Sequence, residues 1–279
     1  MKRDVAPIME NKSPASPSVF SPSALLREAR RQKRLASANV PSVCILDPDG
    51  DILRRLRHSG EARRLDAWPC YHTDLYTFSL AGETVGIIGC VVGAPFAVLI
   101  AEELFACGCR HLLSVTSAGQ IVAPKPPPYF VVIDRALRDE GTSYHYAAPS
   151  EFAEADARLV AIVAAALRDE NLDAVVGPSW TTDAPFRETA EAIEVARAKG
   201  ILAVEMEAAA LYALAQARGV SILCLAHVTN TMGLAERDFE KGDSDGTTDA
   251  LRVLEIAAKA VRSAPAPLRP VDHPNKEAM

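Results

Sequence analysis

The sequence predicts an α/β fold built on a largely parallel or mixed sheet. From Val43 to Val261, short apolar runs alternate with segments of helical period, the pattern that wraps helices around a sheet. Composition agrees: 279 residues, 49% of them hydrophobic, with a net charge of -6, suit one large core with tails. The third observation is the stretch Ile201 to Gly219, ILAVEMEAAALYALAQARG. Ile201 to Val204 reads as a buried strand, and Glu205, Met206 and Glu207 end it. Ala208, Leu211, Tyr212 and Ala215 then recur at helical spacing up to Gly219, a favourable C-cap. In open α/β sheets, ligands gather at the carboxyl ends of strands, and two carboxylates there are costly to hold charged alone. They serve either a ligand or the positive end of the helix dipole.

Composition also excludes several classes. The acidic balance argues against a nucleic-acid partner, which would want a basic face. Six cysteines are scattered without metal-ligand spacing, and Cys107 and Cys109 read as buried side chains. The N-terminus does not read as a signal peptide. The longest apolar run, Val85 to Leu104, is broken by Gly89, Gly93, Pro95 and the pair Glu102 and Glu103, so it does not read as a membrane span. The expected compartment is the cytosol.

In chain order, Met1 to Pro22 is rich in Ser and Pro and reads as disordered or draped over a neighbour. Ser23 to Leu35 reads as a short basic helix with Leu25, Leu26 and Ala29 on one side and its charges in solvent. Val43 to Leu46 is the first core strand, followed by a turn over Asp47-Pro48-Asp49-Gly50-Asp51. Leu75 to Leu80 and Thr84 to Cys90 form a hairpin joined by Ala81-Gly82-Glu83. Gly93 opens a long apolar helix, Phe96 to Cys107, and lets an anion or sugar oxygen approach its N-terminus. Arg110 to Val115 is a strand, with Thr116-Ser117-Ala118-Gly119 turning at its end. Tyr129 to Leu137 is a strand, Phe152 to Arg168 a helix and Ala174 to Trp180 a strand. In the next segment, Thr181 to Glu188, either Asp183 caps a helix with Arg187 on its surface, or Phe186 and Arg187 meet a ligand. Ser221 to Val228 is a buried strand ending in Thr229-Asn230, Leu234 to Gly246 a polar loop, and Thr248 to Val261 a closing helix. Three units follow: residues 1–40 as an N-terminal tail with the basic helix, 41–263 as the α/β domain, and 264–279 as a Pro-rich tail.

The Glu205-Met206-Glu207 unit resembles the signature of the nucleoside phosphorylase superfamily, which includes uridine phosphorylase, hexameric purine nucleoside phosphorylase and methylthioadenosine nucleosidase. The Ser117-Ala118-Gly119-Gln120 and Gly141-to-Tyr146 segments are similar to those of the nucleosidase and of uridine phosphorylase. The resemblance covers nearly all of Val43 to Val261. It implies a three-layer fold with a mixed, largely parallel central sheet flanked by helices. It implies that Glu207 clamps the ribose hydroxyls, that Met206 lies against the sugar and that Glu205 is a supporting acid. Phe186 would stack on the base, and Arg187 would bond a base carbonyl or phosphate. Asn230 stands where relatives acting on aminopurines carry a proton-donating aspartate. Its amide, which both donates and accepts, suits a 6-oxopurine or a pyrimidine carbonyl. Ser117 with Gly93 would hold the anion or attacking water, and Tyr144 lies in the uridine phosphorylase-like loop. His72 falls in a segment similar to the family's His-Arg-Glu, which reaches a neighbouring subunit's phosphate, with Thr73 in place of the arginine.

The departures fall on the phosphate site. The loop after the first strand is acidic and ends without an arginine; Arg54, Arg55 and Arg57 follow on the next turn. Ser114 stands where the phosphorylases place another arginine. The implied activity is cleavage of a nucleoside N-glycosidic bond by phosphorolysis, with phosphate as co-substrate and no metal or organic cofactor. Without those arginines phosphate should bind poorly, so a hydrolytic nucleosidase, with Asp47 or Asp49 positioning water as base, is the alternative. A non-catalytic nucleoside-binding protein is the second. The implied partners are a small-molecule nucleoside and further copies of the chain, as a homodimer or homohexamer, with no nucleic acid and no membrane.

Overall fold

The computed structural model describes residues 6–172, 174–231, 241 and 243–264. A helix α1 (Pro22–Lys33) precedes the core, with Ser21 accepting from the Ala24 N–H as its cap. The core then runs β1 (Val43–Asp47), α2 (Asp51–His58), β2 (Arg63–Arg64), β3 (Tyr76–Leu80), β4 (Glu83–Gly89), α3 (Ala94–Ala106) and β5 (His111–Gln120). Its second half is β6 (Tyr129–Asp139), β7 (Phe152–Glu154), α4 (Ala157–Asp169), β8 (Ala174–Thr182), α5 (Ala190–Ala198), β9 (Ala203–Glu205), α6 (Ala208–Arg218), β10 (Ser221–Thr231) and α7 (Thr247–Ser263).

The sheet is mixed and partly closed. β10 pairs with β5 in parallel and with β6 antiparallel. β6 pairs with β8 and β8 with β9 in parallel, and β9 returns antiparallel to β5. Those five strands form a ring, and β1, β4, β3 and β2 extend the sheet outward from β5. Alternate residues of each strand serve opposite faces, as the period of two requires. Cys44 and Leu46 pack with α1, α3 and α6, whereas Val43 and Ile45 pack with α2, α4 and α7. The result is the expected three layers.

Local expectations were met with instructive exceptions. Phe152 to Glu154 is strand β7, not helix, because its backbone pairs with Arg135 to Leu137 of β6, and α4 starts only after Asp156 caps it. Thr116 to Gly119 does not turn; it continues β5, held by β10 along its length and by β9 at Gly119. The β3–β4 turn is two residues, Ala81 and Gly82, both with positive φ. α6 is buried on every side from Ala208 to Leu214 rather than along one stripe. Its Tyr212 hydroxyl donates to the Ile133 carbonyl at 2.6 Å and accepts from the Cys224 N–H at 3.1 Å. Gly219 ends it with φ of 62°. The expected loop from Leu234 and the tail after Ala264 lie largely outside the described residues.

Candidate active site

β9 ends at Glu205, the chain turns through Met206, and Glu207 stands at the N-cap of α6. Glu205 is buried and fully engaged. One oxygen accepts from the hydroxyls of Ser179 and Thr181 on β8, and the other from the N–H groups of Glu207 and Ala208, both at 2.7 Å. It caps α6 and ties that helix to the sheet. Burial raises its pKa, and these four donors pull the other way. Glu207 is 1% exposed. Its Oε1 accepts from the Gly93 N–H at 2.7 Å, and its buried Oε2 has no hydrogen-bond partner among the described residues. Burial, then the negative charge of Glu205, pushes its pKa up to about 8. Gly93 reaches it at φ 90°, a conformation glycine adopts freely. The Gly93 N–H is thus committed to Glu207 rather than to an anion.

The β1–α2 loop supplies the opposite chemistry from a phosphate site. Asp47 is 2% exposed, and its oxygens accept from the Gly50 and Leu53 N–H groups, so it caps the start of α2. Burial raises its pKa to about 7. Asp49 accepts from both the N–H and the hydroxyl of Ser117, at 2.8 and 3.0 Å. Arg54 pairs with Asp51, Arg55 donates to the hydroxyls of Thr247 and Thr248, and Arg57 lies over the Tyr76 ring. Lys241 bonds Asp51 and stands 3.9 Å from Asp49. Ser114 is buried.

A cavity of about 320 Å³ opens over the carboxyl ends of the strands, a size that suits a small ligand. Asp49, Ser117, Phe186, Glu188, Glu205, Met206, Glu207 and Asn230 all line it, with Val92 and Val204 as apolar wall. Phe186 is 98% exposed. Among the described residues no lysine or arginine lines this cavity. Asp49, Thr116 and Ser117 also line a narrow cavity of about 20 Å³, which they share with Asp47, His227 and Lys241.

The structure therefore brings Ser117, Phe186, Glu205, Met206, Glu207 and Asn230 together, with Gly93 behind Glu207. It leaves four expected residues elsewhere, the first being Asp47, which caps α2 and lines only the narrow cavity. His72 is exposed, its ring edge-on to Tyr71. The Tyr144 hydroxyl donates to the Arg138 carbonyl, and its ring lies under the Arg138 guanidinium. Arg187 is exposed and does not line the cavity. Asp183 caps no helix; it accepts from the Gly141 N–H. Sequence reasoning passed over Glu188, although it directly follows Phe186 and Arg187.

Residues 42–264 match the Phosphorylase superfamily, and the chain belongs to it. It is 30% identical over 142 residues to guanosine phosphorylase of Halorubrum lacusprofundi, covering 51% of this chain and 59% of that protein. It is 26% identical over 164 residues to the DeoD-type purine nucleoside phosphorylase of Shewanella denitrificans, covering 58% of this chain and 70% of that one. The DeoD-type enzyme of Actinobacillus pleuropneumoniae serotype 5b is 27% identical over 196 residues, covering 66% and 80%. The structure of uridine phosphorylase from Vibrio fischeri ES114 matches the fold, with a TM-score of 0.67 and 20% identity over 82% of this chain and 96% of that one. Nucleoside phosphorylases of this family need no cofactor and use phosphate as co-substrate. Among the described residues no helix is long and apolar enough to cross a membrane.

Proposed function

We propose that this chain, an enzyme of the nucleoside phosphorylase type, cleaves the N-glycosidic bond of a nucleoside by phosphorolysis, giving free base and ribose 1-phosphate. The observation that carries the reading is the Glu207 carboxyl: buried, anchored through one oxygen to Gly93, and with its other oxygen without a partner beside Met206 in the cavity wall. Two ribose hydroxyls donating to that group favour its ionised form, against the burial that raises its pKa. The charge then lies beside a sugar ring that becomes cationic as the bond breaks, so it helps most in the transition state. Met206 lies along the sugar, Phe186 covers the base, and the Asn230 amide bonds the base edge. Glu205 acts indirectly, by fixing the turn that places Glu207. The relatedness to a guanosine phosphorylase and to purine nucleoside phosphorylases favours a purine.

A second reading is hydrolysis, favoured by the Asp49–Ser117 contact. The N–H and hydroxyl of Ser117 already hold a carboxylate where phosphate oxygens would sit, and the cavity lining holds no cation among the described residues. Asp49 would then take a proton from water as it attacks the sugar. A nucleoside panel with and without phosphate separates the two. Phosphate-dependent release of base with ribose 1-phosphate establishes phosphorolysis; equal release of free ribose in both establishes hydrolysis. Absence of turnover alongside nucleoside binding would leave a binding protein.

We further infer a cytosolic homo-oligomer, a dimer or hexamer. Six free cysteines, five of them buried, suit a reducing compartment. The exposed His72 is available to a neighbouring protomer's site.

A further inference from the structure

Phe186 lines the cavity yet is 98% exposed, so packing does not fix its ring. Its direction depends on the backbone of the short 3-10 turn Pro185–Arg187 after β8. Within that turn the Arg187 N–H donates to the Ala184 carbonyl at 2.8 Å, and the Ala184 N–H to the Thr182 hydroxyl at 3.2 Å. The Gly141 N–H then ties the turn across to the loop after β6 by donating to Asp183 Oδ2 at 2.8 Å. That bond adds a rung beyond Asp139 and Thr182, the last register pair of β6 and β8. Asp183 itself does not line the cavity.

Gly141 belongs to a firmly held loop. Buried Arg138 donates to the Ser143 hydroxyl at 2.8 Å and to the Ala148 carbonyl at 2.6 Å, and Glu140 accepts from the Ser143 N–H at 2.9 Å. Against Gly141 lies a segment that precedes residues 42–264, the span matched to the family. The 3-10 turn Pro7–Met9, closed by a 2.8 Å bond from the Met9 N–H to the Ala6 carbonyl, presents Ile8 there. A methyl group on Gly141 would lie 3.4 Å from Ile8 Cδ1 and 3.7 Å from Asp183 Oδ2, so the two side chains converge on one side of Gly141. Among the described residues, 6–20 make no backbone hydrogen bond to the core, and this arm rests on contacts such as that of Ile8.

We propose that Asp183 and Ile8 are positioning residues for the nucleoside base. Asp183 fixes the turn that carries Phe186, and the N-terminal arm, through Ile8, covers the bond that holds Asp183. Neither side chain touches the substrate. An exposed hydrogen bond competes with water, and an apolar side chain beside it lowers that competition. The arm is thus a strap, outside the matched α/β domain, that tunes base affinity from the surface. The inference rests on the nucleoside reading above and holds for phosphorolysis and hydrolysis alike.

The test is a set of double-mutant cycles in the full-length chain: Asp183→Ala, Ile8→Ala and Phe186→Ala, singly and in pairs, with Asp183→Asn as the conservative variant. KM, kcat and the nucleoside Kd are read for whichever of guanosine, inosine, adenosine and uridine the wild type prefers. Base stacking spans roughly a 5- to 150-fold range in affinity. Asp183→Ala should raise KM and Kd about 5- to 50-fold with kcat within about threefold of wild type. Asp183→Asn, whose amide oxygen still accepts from Gly141, should stay within about threefold of wild type. Ile8→Ala should raise KM about threefold at a melting temperature within about 2 °C of wild type. Both effects should vanish in the Phe186→Ala background, because residues acting through one contact are not additive. An Asp183→Ala or Ile8→Ala effect of the same size with and without Phe186 overturns the inference. So does a KM unchanged in either single variant, and in both cases the nucleoside reading stands. A wild type that neither binds nor cleaves any of the four nucleosides overturns that reading and this inference together.

Discussion

Gly93 and Glu207, 114 positions apart, are joined by one hydrogen bond from the Gly93 N–H to Glu207 Oε1 at 2.7 Å. It couples the start of α3 to the start of α6, while the buried second oxygen of Glu207 has no hydrogen-bond partner among the described residues. Gly93→Ala tests this coupling directly. There is room for a methyl group, with the nearest atom 4.0 Å away, but φ of 90° strains any L-residue. The expected cost is about 1–3 kcal/mol of stability, with a fall in kcat/KM as Glu207 loses its anchor. Thermal melting and steady-state kinetics check both.

Glu207 also makes stability depend on pH. Its pKa is about 8 against an ordinary 4.5, and that of Asp47 is about 7 against 3.8. Between those values the folded chain holds protons that the unfolded chain releases. Stability is therefore fully present below the ordinary values and is lost as pH rises through 7 to 8. Glu207→Gln removes one of the two titrations. Its melting temperature should fall less than that of wild type between pH 6 and pH 8.5. Its kcat/KM should drop roughly 100-fold or more, because two charge-assisted bonds to ribose are lost.

Asp47 and Glu205 should behave as structural acids. Glu205→Ala strips partners from two backbone N–H groups and two hydroxyls inside the core. A loss of about 3 kcal/mol or more is expected in a denaturant titration. Asp47→Asn keeps one acceptor for Gly50 or Leu53 and should cost about 1–2 kcal/mol, with kcat/KM close to wild type. A kinetic collapse in Asp47→Asn at unchanged stability would return it to the chemistry.

Phe186 is nearly all in solvent, so Phe186→Ala should leave the melting temperature unchanged. Stacking on a base is worth about 1–3 kcal/mol by alanine substitution. The nucleoside KM should rise roughly tenfold or more, with little change in the affinity for phosphate.

Much of this was legible from the chain alone. Alternating strand and helix periods gave the α/β class, and the short apolar run before Glu205-Met206-Glu207 placed that unit at a strand end. Phe186 and Asn230, which line the same cavity, were expected there only through the family resemblance. These signals are local: period, cap and turn residues act within a few positions of themselves.

What the sequence by itself determined, then, is which residue types stand at the strand ends. Tertiary structure decided which of them are available to a ligand. Two neighbouring glutamates look alike in the sequence, yet β8 hydroxyls and α6 N–H groups occupy both oxygens of Glu205, whereas Gly93 at the start of α3 occupies only one oxygen of Glu207. Asp47 and Asp49 look alike too, but Asp47 faces its own helix and Asp49 meets Ser117, 68 residues away. β7 became a strand only because β6 offered a free edge, and the ring closed because β10 pairs on both sides. A buried polar group must find a partner, and that partner comes from whichever segment the fold packs against it, however distant in the chain.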